Sequence, residues 1–297
     1  MPIGIGVKLT LLNTILALVL ASTTLTGGTV PGLQQQSNVT WTNAAPWFGG
    51  LSGVEISNDG KKLSAISDKG RFIEADIIRE NGMLTGLRIV HSVALRDAKG
   101  SIMNRPFTDS EGLAITDEGN AFISFEGQHR IVQLDRANGA TTELPRPTVV
   151  EFAAENAGLE ALAIRSDGVL FALPEATTRG TIPLLKLANG EWSVEANLPA
   201  EVPFLPVGAD FDDNDRLYLL ERTLTPLGFR SQIRRFTFGT LGISEETLLV
   251  THPARYDNLE GISVWQDASG TTMLTLISDD NFLPFQRSQV VEFIVPD

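Results

Sequence analysis

The sequence predicts an all-β fold, a β-propeller of about five four-stranded blades. Three observations predict it. One unit recurs five times along the 297 residues, at a spacing of roughly 50 residues that falls within the range of propeller blades. Each unit divides into strand-length apolar runs separated by turn clusters. No stretch of 10–15 residues carries a helical period.

The units share one anatomy. A short first strand rich in small residues covers 51–57, 110–115, 159–164, 207–212 and 259–264. Innermost strands crowd around a propeller axis, which alone accounts for much of their glycine and alanine. A polar turn follows in each unit: Asn58-Asp59-Gly60, Asp117-Glu118-Gly119-Asn120, Ser166-Asp167-Gly168, Asp213-Asn214-Asp215 and Asp267-Ala268-Ser269-Gly270. These residue types tolerate the positive φ of tight hairpins. A more apolar second strand comes next, at 63–68, 121–126, 169–175, 217–221 and 273–279, and each ends in a carboxylate. Third strands are expected at 72–78, 130–135, 182–187, 231–236 and 289–294. Weaker fourth strands are expected at 87–93, 141–144, 191–195 and 245–250. The fifth unit lacks a fourth strand of its own, and residues 39–41 are expected to supply it. Closing the ring with the N-terminal strand removes an exposed edge. A sixth blade would need strands hidden in 95–108 or 196–206.

The first residues read differently. Lys8 is the only charge before Glu55, and an interrupted apolar run follows it up to Leu20, then Ala21 and Ser22. This is the layout of a secretory signal peptide over 1–22, too short and broken for a comfortable membrane span. Residues 23–38 read as a flexible leader and 39–297 as the propeller. The expected location is periplasmic or secreted, with no membrane attachment after cleavage. The chain has no cysteine, so disulfides and thiolate metal sites are excluded. A net charge of -13 argues against nucleic acid, which needs a basic face, and against anionic lipid. It suits cation binding or a merely acidic surface.

Two carboxylate positions recur. The first lies at or near the start of the inner strand: Glu111, Glu160 and Glu260, with Glu55 and Asp210 displaced. The second ends the next strand: Asp68, Glu126, Glu175, Glu221 and Asp279. The start of one strand and the end of its antiparallel partner share one end of a sheet, so both sets are expected at one mouth of the channel. An arginine follows each second acid: Arg71, Arg130, Arg179, Arg222 and Arg287. The expectation is an acidic ring with an arginine rim that binds anions. Clustered carboxylates need compensation to stay ionised. A hard divalent cation such as Ca2+ supplies it through oxygen ligands; pairing with the arginines, which would merely brace the blades, is the other answer. His129 alone among the histidines falls near this mouth. The run Asp210, Asp212, Asp213 and Asp215 lacks the Gly and distal Glu of an EF-hand and reads as a solvated turn.

The segments Asp109-Ser110-Glu111-Gly112-Leu113-Ala114, Gly158-Leu159-Glu160-Ala161-Leu162 and Asn258-Leu259-Glu260-Gly261-Ile262, with Ser278-Asp279-Asp280-Asn281-Phe282, resemble the bacterial phytase-like domain family, also described as having esterase-like activity of phytase. The resemblance covers about residues 47–295. It implies a propeller that cleaves phosphate monoesters with Ca2+, and Glu111, Glu160, Glu260 and Asp279 match its motifs. Glu55 departs from the pattern, because Ser52-Gly53 stands where Glu-Gly is expected, and Asp210 is an Asp in place of Glu. The implied function is an exported Ca2+-dependent phosphoester hydrolase acting on a small anionic substrate, with Arg130 and Arg179 on the phosphate. A non-catalytic ligand- or protein-binding propeller and a metal-dependent sugar-lactone hydrolase are the competing expectations.

Overall fold

The computed structural model describes residues 32–126, 129–147, 158–175 and 180–296; the expected signal peptide and Arg179 lie outside them. Twenty strands form five antiparallel four-stranded sheets, and no helix occurs among the described residues. The first blade runs from its inner strand β2 (Leu51–Ile56) through β3 (Lys62–Ser67) and β4 (Arg71–Glu80) to β5 (Met83–Ala94). The second comprises β6 (Ser110–Ile115), β7 (Ala121–Phe125), β8 (Arg130–Leu134) and β9 (Thr141–Glu143). The third comprises β10 (Leu159–Ile164), β11 (Leu170–Pro174), β12 (Thr181–Ala188) and β13 (Glu191–Pro199). The fourth comprises β14 (Leu205–Phe211), β15 (Leu217–Thr225), β16 (Gly228–Gly239) and β17 (Gly242–Val250). The fifth comprises β18 (Asn258–Gln266), β19 (Thr272–Asp279), β20 (Gln289–Ile294) and, on its outer edge, the N-terminal strand β1 (Gln34–Thr40).

The inner strands touch one another because their glycines let backbones meet. A Cβ at Gly53 would lie 2.7 Å from Leu113 N of the next blade, one at Gly112 2.8 Å from Leu162 N, and one at Gly208 2.6 Å from Glu260 O. Gly261 closes the circle, its Cβ position 2.8 Å from Ser52 O. With the axis so crowded, the apolar core divides into five clusters, one in each seam between neighbouring blades. Leu173, Leu184 and Phe171 of the third blade meet Phe211, Leu219 and Phe236 of the fourth, for example. Trp41 and Trp265 of the fifth meet Leu63 and Ile73 of the first.

The ring closes as expected, with a longer strand. β1 pairs with β20 from Thr40↔Gln289 back to Gln34↔Ile294. Residues 34–38, expected in the flexible leader, are therefore strand. Their polar sequence hid it, but an outer strand is held by backbone pairing and needs few apolar side chains. No sixth blade forms among the described residues. Within 95–108 there are only isolated bridges, Arg96 with Ile102 and with Ala140. Residues up to Pro199 extend β13, and Leu205 already begins β14.

Candidate functional site

Every inner strand is irregular at the same place. The ladder slips between Leu51 and Gly53, Ser110 and Leu113, Leu159 and Ala161, Pro206 and Gly208, and Leu259 and Gly261. An extra residue of this kind bends a strand and re-aims a side chain. The residues at the five slips are Ser52, Glu111, Glu160, Val207 and Glu260. A second ring comes from the end of the neighbouring strand. The N–H groups of Asp68, Glu126 and Glu175 donate to the carbonyls of Gly50, Asp109 and Gly158. In the same register, Arg222 pairs with Leu205 and Asp279 with Asn258. All members of the two rings but Val207 line a cavity of about 170 Å3 at one mouth, and Asp109 and Asn281 add to its walls.

Three expected members are elsewhere. Glu55 and Asp210 sit near the far ends of β2 and β14 and line a wider cavity of about 770 Å3 at the opposite mouth. There they fasten neighbouring inner strands. Glu55 accepts from Ile115 N at 3.3 Å and from Ser263 Oγ at 3.2 Å; Asp210 accepts from Val264 N at 2.6 Å and from Phe211 N at 2.8 Å. Glu221 turns away from the mouth altogether. Its carboxylate is fully buried against Arg234, which donates from Nε and Nη2 at 2.6 Å each. The ring position expected for Glu221 belongs to Arg222. The aspartate run, expected as a solvated turn, is solvated only at Asp213 and Asp215; Asp210 and Asp212 are buried, and Asp212 accepts from Asn214 N, Arg216 N and Arg216 Nε.

The arginine rim is not a rim of free cations. Arg71 lies over the Trp47 ring at 4.5 Å and donates to Ser92 Oγ. Arg130 is buried over Phe125 at 4.0 Å and donates to Phe107 O, leaving its Nη1 buried without a partner. Arg287 pairs with Asp257 at the exposed periphery. Among the described rim arginines only Arg222 enters the ring, where its Nη1 donates to both Glu260 Oε1 and Asn258 Oδ1. Two cations that sequence reading passed over stand near the mouth. Arg105 lies 3.5 Å from Asp68, and Lys69 sits over the Phe282 ring at 2.7 Å. His129 adopts φ 41°, with Nδ1 buried and unpartnered.

Electrostatics follow from this surplus of carboxylates. Burial, then the charges of Glu160, Glu260, Asp109 and Glu126, hold Glu111 well above the usual carboxylate range. Burial, Glu175 and Glu260 do the same to Glu160. Burial and Glu260 push Asp279 up to about 8, and burial pushes Asp68 to about 6. Such a site favours either protons or a cation. The donor set suits a hard ion: carboxylate oxygens of Asp109, Glu111 and Glu126 all lie within 4.8 Å of one another, and oxygen ligands are those of Ca2+. Asp68 Oδ1 is also buried without a partner. Gly158 permits the crowding, since a Cβ there would meet Glu126 Cγ at 2.6 Å and Glu160 Oε1 at 2.7 Å. Asp109 was missed as a ligand. The signal was its place two residues before Glu111, the column in which the fifth unit has Asn258.

Fold and site together define a five-bladed propeller with a carboxylate-lined channel mouth. The chain belongs to the phytase-like family: the family model described as esterase-like activity of phytase matches residues 46–282. No curated protein sequence matches it. Similar solved structures include the PQQ-bound aldose sugar dehydrogenase of Streptomyces coelicolor, at 12% identity and TM-score 0.48, covering 88% of this chain and 98% of that one. The virginiamycin B lyase of Staphylococcus aureus is similar at 12% identity and TM-score 0.44, covering 89% and 100%. A luciferin-regenerating enzyme is similar at 12% identity and TM-score 0.47, covering 88% and 98%.

Proposed function

We propose that this chain is an exported phosphoester hydrolase that works with a hard divalent cation, Ca2+, at the carboxylate mouth. The observation that carries the reading is the convergence of Asp109, Glu111 and Glu126 oxygens to within 4.8 Å, in a chain of the phytase-like family. These three residues would hold the ion, with Asp68 beside Asp109. When bound, the ion would draw electron density from a phosphoryl group and offset the charge that develops on it. Arg222 presents its guanidinium to the oxygens of a small anionic substrate, with Lys69 and Arg105 at the edge. Glu160, whose affinity for a proton is raised by burial and by its acidic neighbours, would give a proton to the leaving oxygen as water attacks and the P–O bond breaks. The proton of the attacking water passes into the carboxylate ring.

The test uses the full chain stripped of metal and a panel of phosphate esters that includes phytate. Phosphate release should return with Ca2+, vanish with chelator and be lost in Glu111→Gln. Absence of chelator-sensitive release across the panel would discard the reading. Turnover of sugar lactones would assign the same mouth to lactone hydrolysis. Calcium-dependent stability without any turnover would make the protein a binding propeller.

A further inference from the structure

The fourth blade breaks the acidic pattern twice at one place. Four blades end their second strand at the mouth with a carboxylate, Asp68, Glu126, Glu175 and Asp279, and the fourth has Arg222 in that register. At its strand slip the fourth blade carries Val207, where three others carry glutamate and the first carries Ser52. One sector of the mouth has thus lost both its acids and gained a cation. The guanidinium is spoken for on that side: Nη1 reaches Glu260 Oε1 and Asn258 Oδ1, and Asn258 Nδ2 adds a bond to the same Glu260 oxygen at 2.7 Å. Its side chain is 23% exposed, so part of it faces the cavity it helps line. The other side of the mouth is different. Among the described residues, no lysine or arginine forms an ion pair with Asp109, Glu111 or Glu126, although their oxygens converge.

We propose that Arg222 is a built-in cation standing where a second divalent ion would otherwise be held, so that the mouth takes its ion on the Asp109–Glu111–Glu126 side and keeps a guanidinium opposite for the substrate's anionic group. The proposal rests on the metal reading above and adds to it a division of the mouth into an ion half and an arginine half. A carboxylate at position 222 would complete a second set of oxygens with Glu260 and Asp279. A fixed cation there excludes a mobile one by charge and by volume.

Calcium stoichiometry measured by titration calorimetry on the metal-stripped full chain tests it. Arg222→Asp should bind one Ca2+ more than the wild type, whereas Arg222→Lys should bind the wild-type number. Arg222→Gln serves if the aspartate variant does not fold: its melting temperature should rise more on adding Ca2+ than that of the wild type. Stoichiometry unchanged in Arg222→Asp, or a calcium-induced rise in Arg222→Gln no larger than in the wild type, overturns the proposal. Glu111→Gln separates the two readings. It should lose one ion relative to the wild type; if it loses none while Arg222→Asp still gains one, the ion half is wrong and the role of Arg222 stands.

Discussion

Arg79 of the first blade closes a two-pronged ion pair on Glu292 of the fifth, with Nη2 2.6 Å from Oε1 and Nη1 2.7 Å from Oε2. Glu292 has no exposure, and it also accepts from Ser37 Oγ of the N-terminal strand at 3.0 Å. One carboxylate therefore joins the two strands that close the ring to the blade beside them. Removing the arginine would strand a buried charge, a loss of about 3–5 kcal/mol for fully buried pairs. Arg79 is 21% exposed, so Arg79→Met is expected to lose less, about 2–3 kcal/mol. Urea unfolding checks it. Glu292→Gln, which keeps hydrogen-bonding capacity without the charge, should cost less than Arg79→Met.

The Glu221–Arg234 pair is the stronger case, because neither side chain is exposed. Arg234 also donates to Pro199 O at 2.9 Å and to Glu245 at 3.0 Å, joining the third and fourth blades. Glu221→Gln and Arg234→Met are each expected to destabilise by roughly 3–5 kcal/mol. The double variant Glu221→Leu with Arg234→Met should cost less than the two single losses added together, since it leaves no fully buried charge unpaired and the carboxylate it frees, Glu245, is 25% exposed. A double-variant cycle by chemical denaturation reads this coupling directly.

At the mouth, the decisive backbone position is Gly158. Gly158→Ala would push a methyl group against Glu126 Cγ and Glu160 Oε1, both nearer than 3 Å to its Cβ. The acids must then move apart. The expected outcome is a weakened calcium response, at least tenfold in apparent affinity, with the propeller intact by circular dichroism. An unchanged response would remove Glu126 from the ion site.

The architecture was legible because turns and strand lengths repeat. A unit whose first hairpin turns at Ser166-Asp167-Gly168 resembles one that turns at Asn58-Asp59-Gly60 whatever the side chains on either side do. The start of β1 was not legible, since Gln34–Asn38 carries no apolar alternation. At the site, Glu111, Glu160 and Glu260 could be read because they stand in one column of the repeat, each followed by a small residue, Gly112, Ala161 or Gly261. Glu55 could not be placed by residue type alone. It lies three positions past Ser52, a displacement of about 10 Å along a strand, which carries it toward the opposite mouth. Glu221 failed by one residue: a one-residue slip in a strand reverses the facing side, so the seam received Glu221 and the mouth received Arg222. The bulges that set this register leave no mark in the sequence.

The opposite mouth predicts how stability depends on pH. Burial, opposed only in part by the Val264 and Phe211 N–H groups, pushes Asp210 up to about 7; burial and then the charge of Asp210 hold Glu55 well above its ordinary value. In the unfolded chain an aspartate titrates near ~4. Between about pH 4 and 7, then, the native state holds a proton at Asp210 that the unfolded state has released. Stability falls as pH rises across that window, by about 1.4 kcal/mol per pH unit for each such proton. The acids of the first mouth add slopes of the same sign. Saturating Ca2+ should flatten their share and leave that of Asp210 and Glu55. Asp210→Asn in saturating Ca2+ is therefore expected to show a shallower fall in unfolding free energy from pH 5 to pH 8 than the wild type. Parallel slopes for the two proteins would mean that Asp210 is already ionised at pH 5.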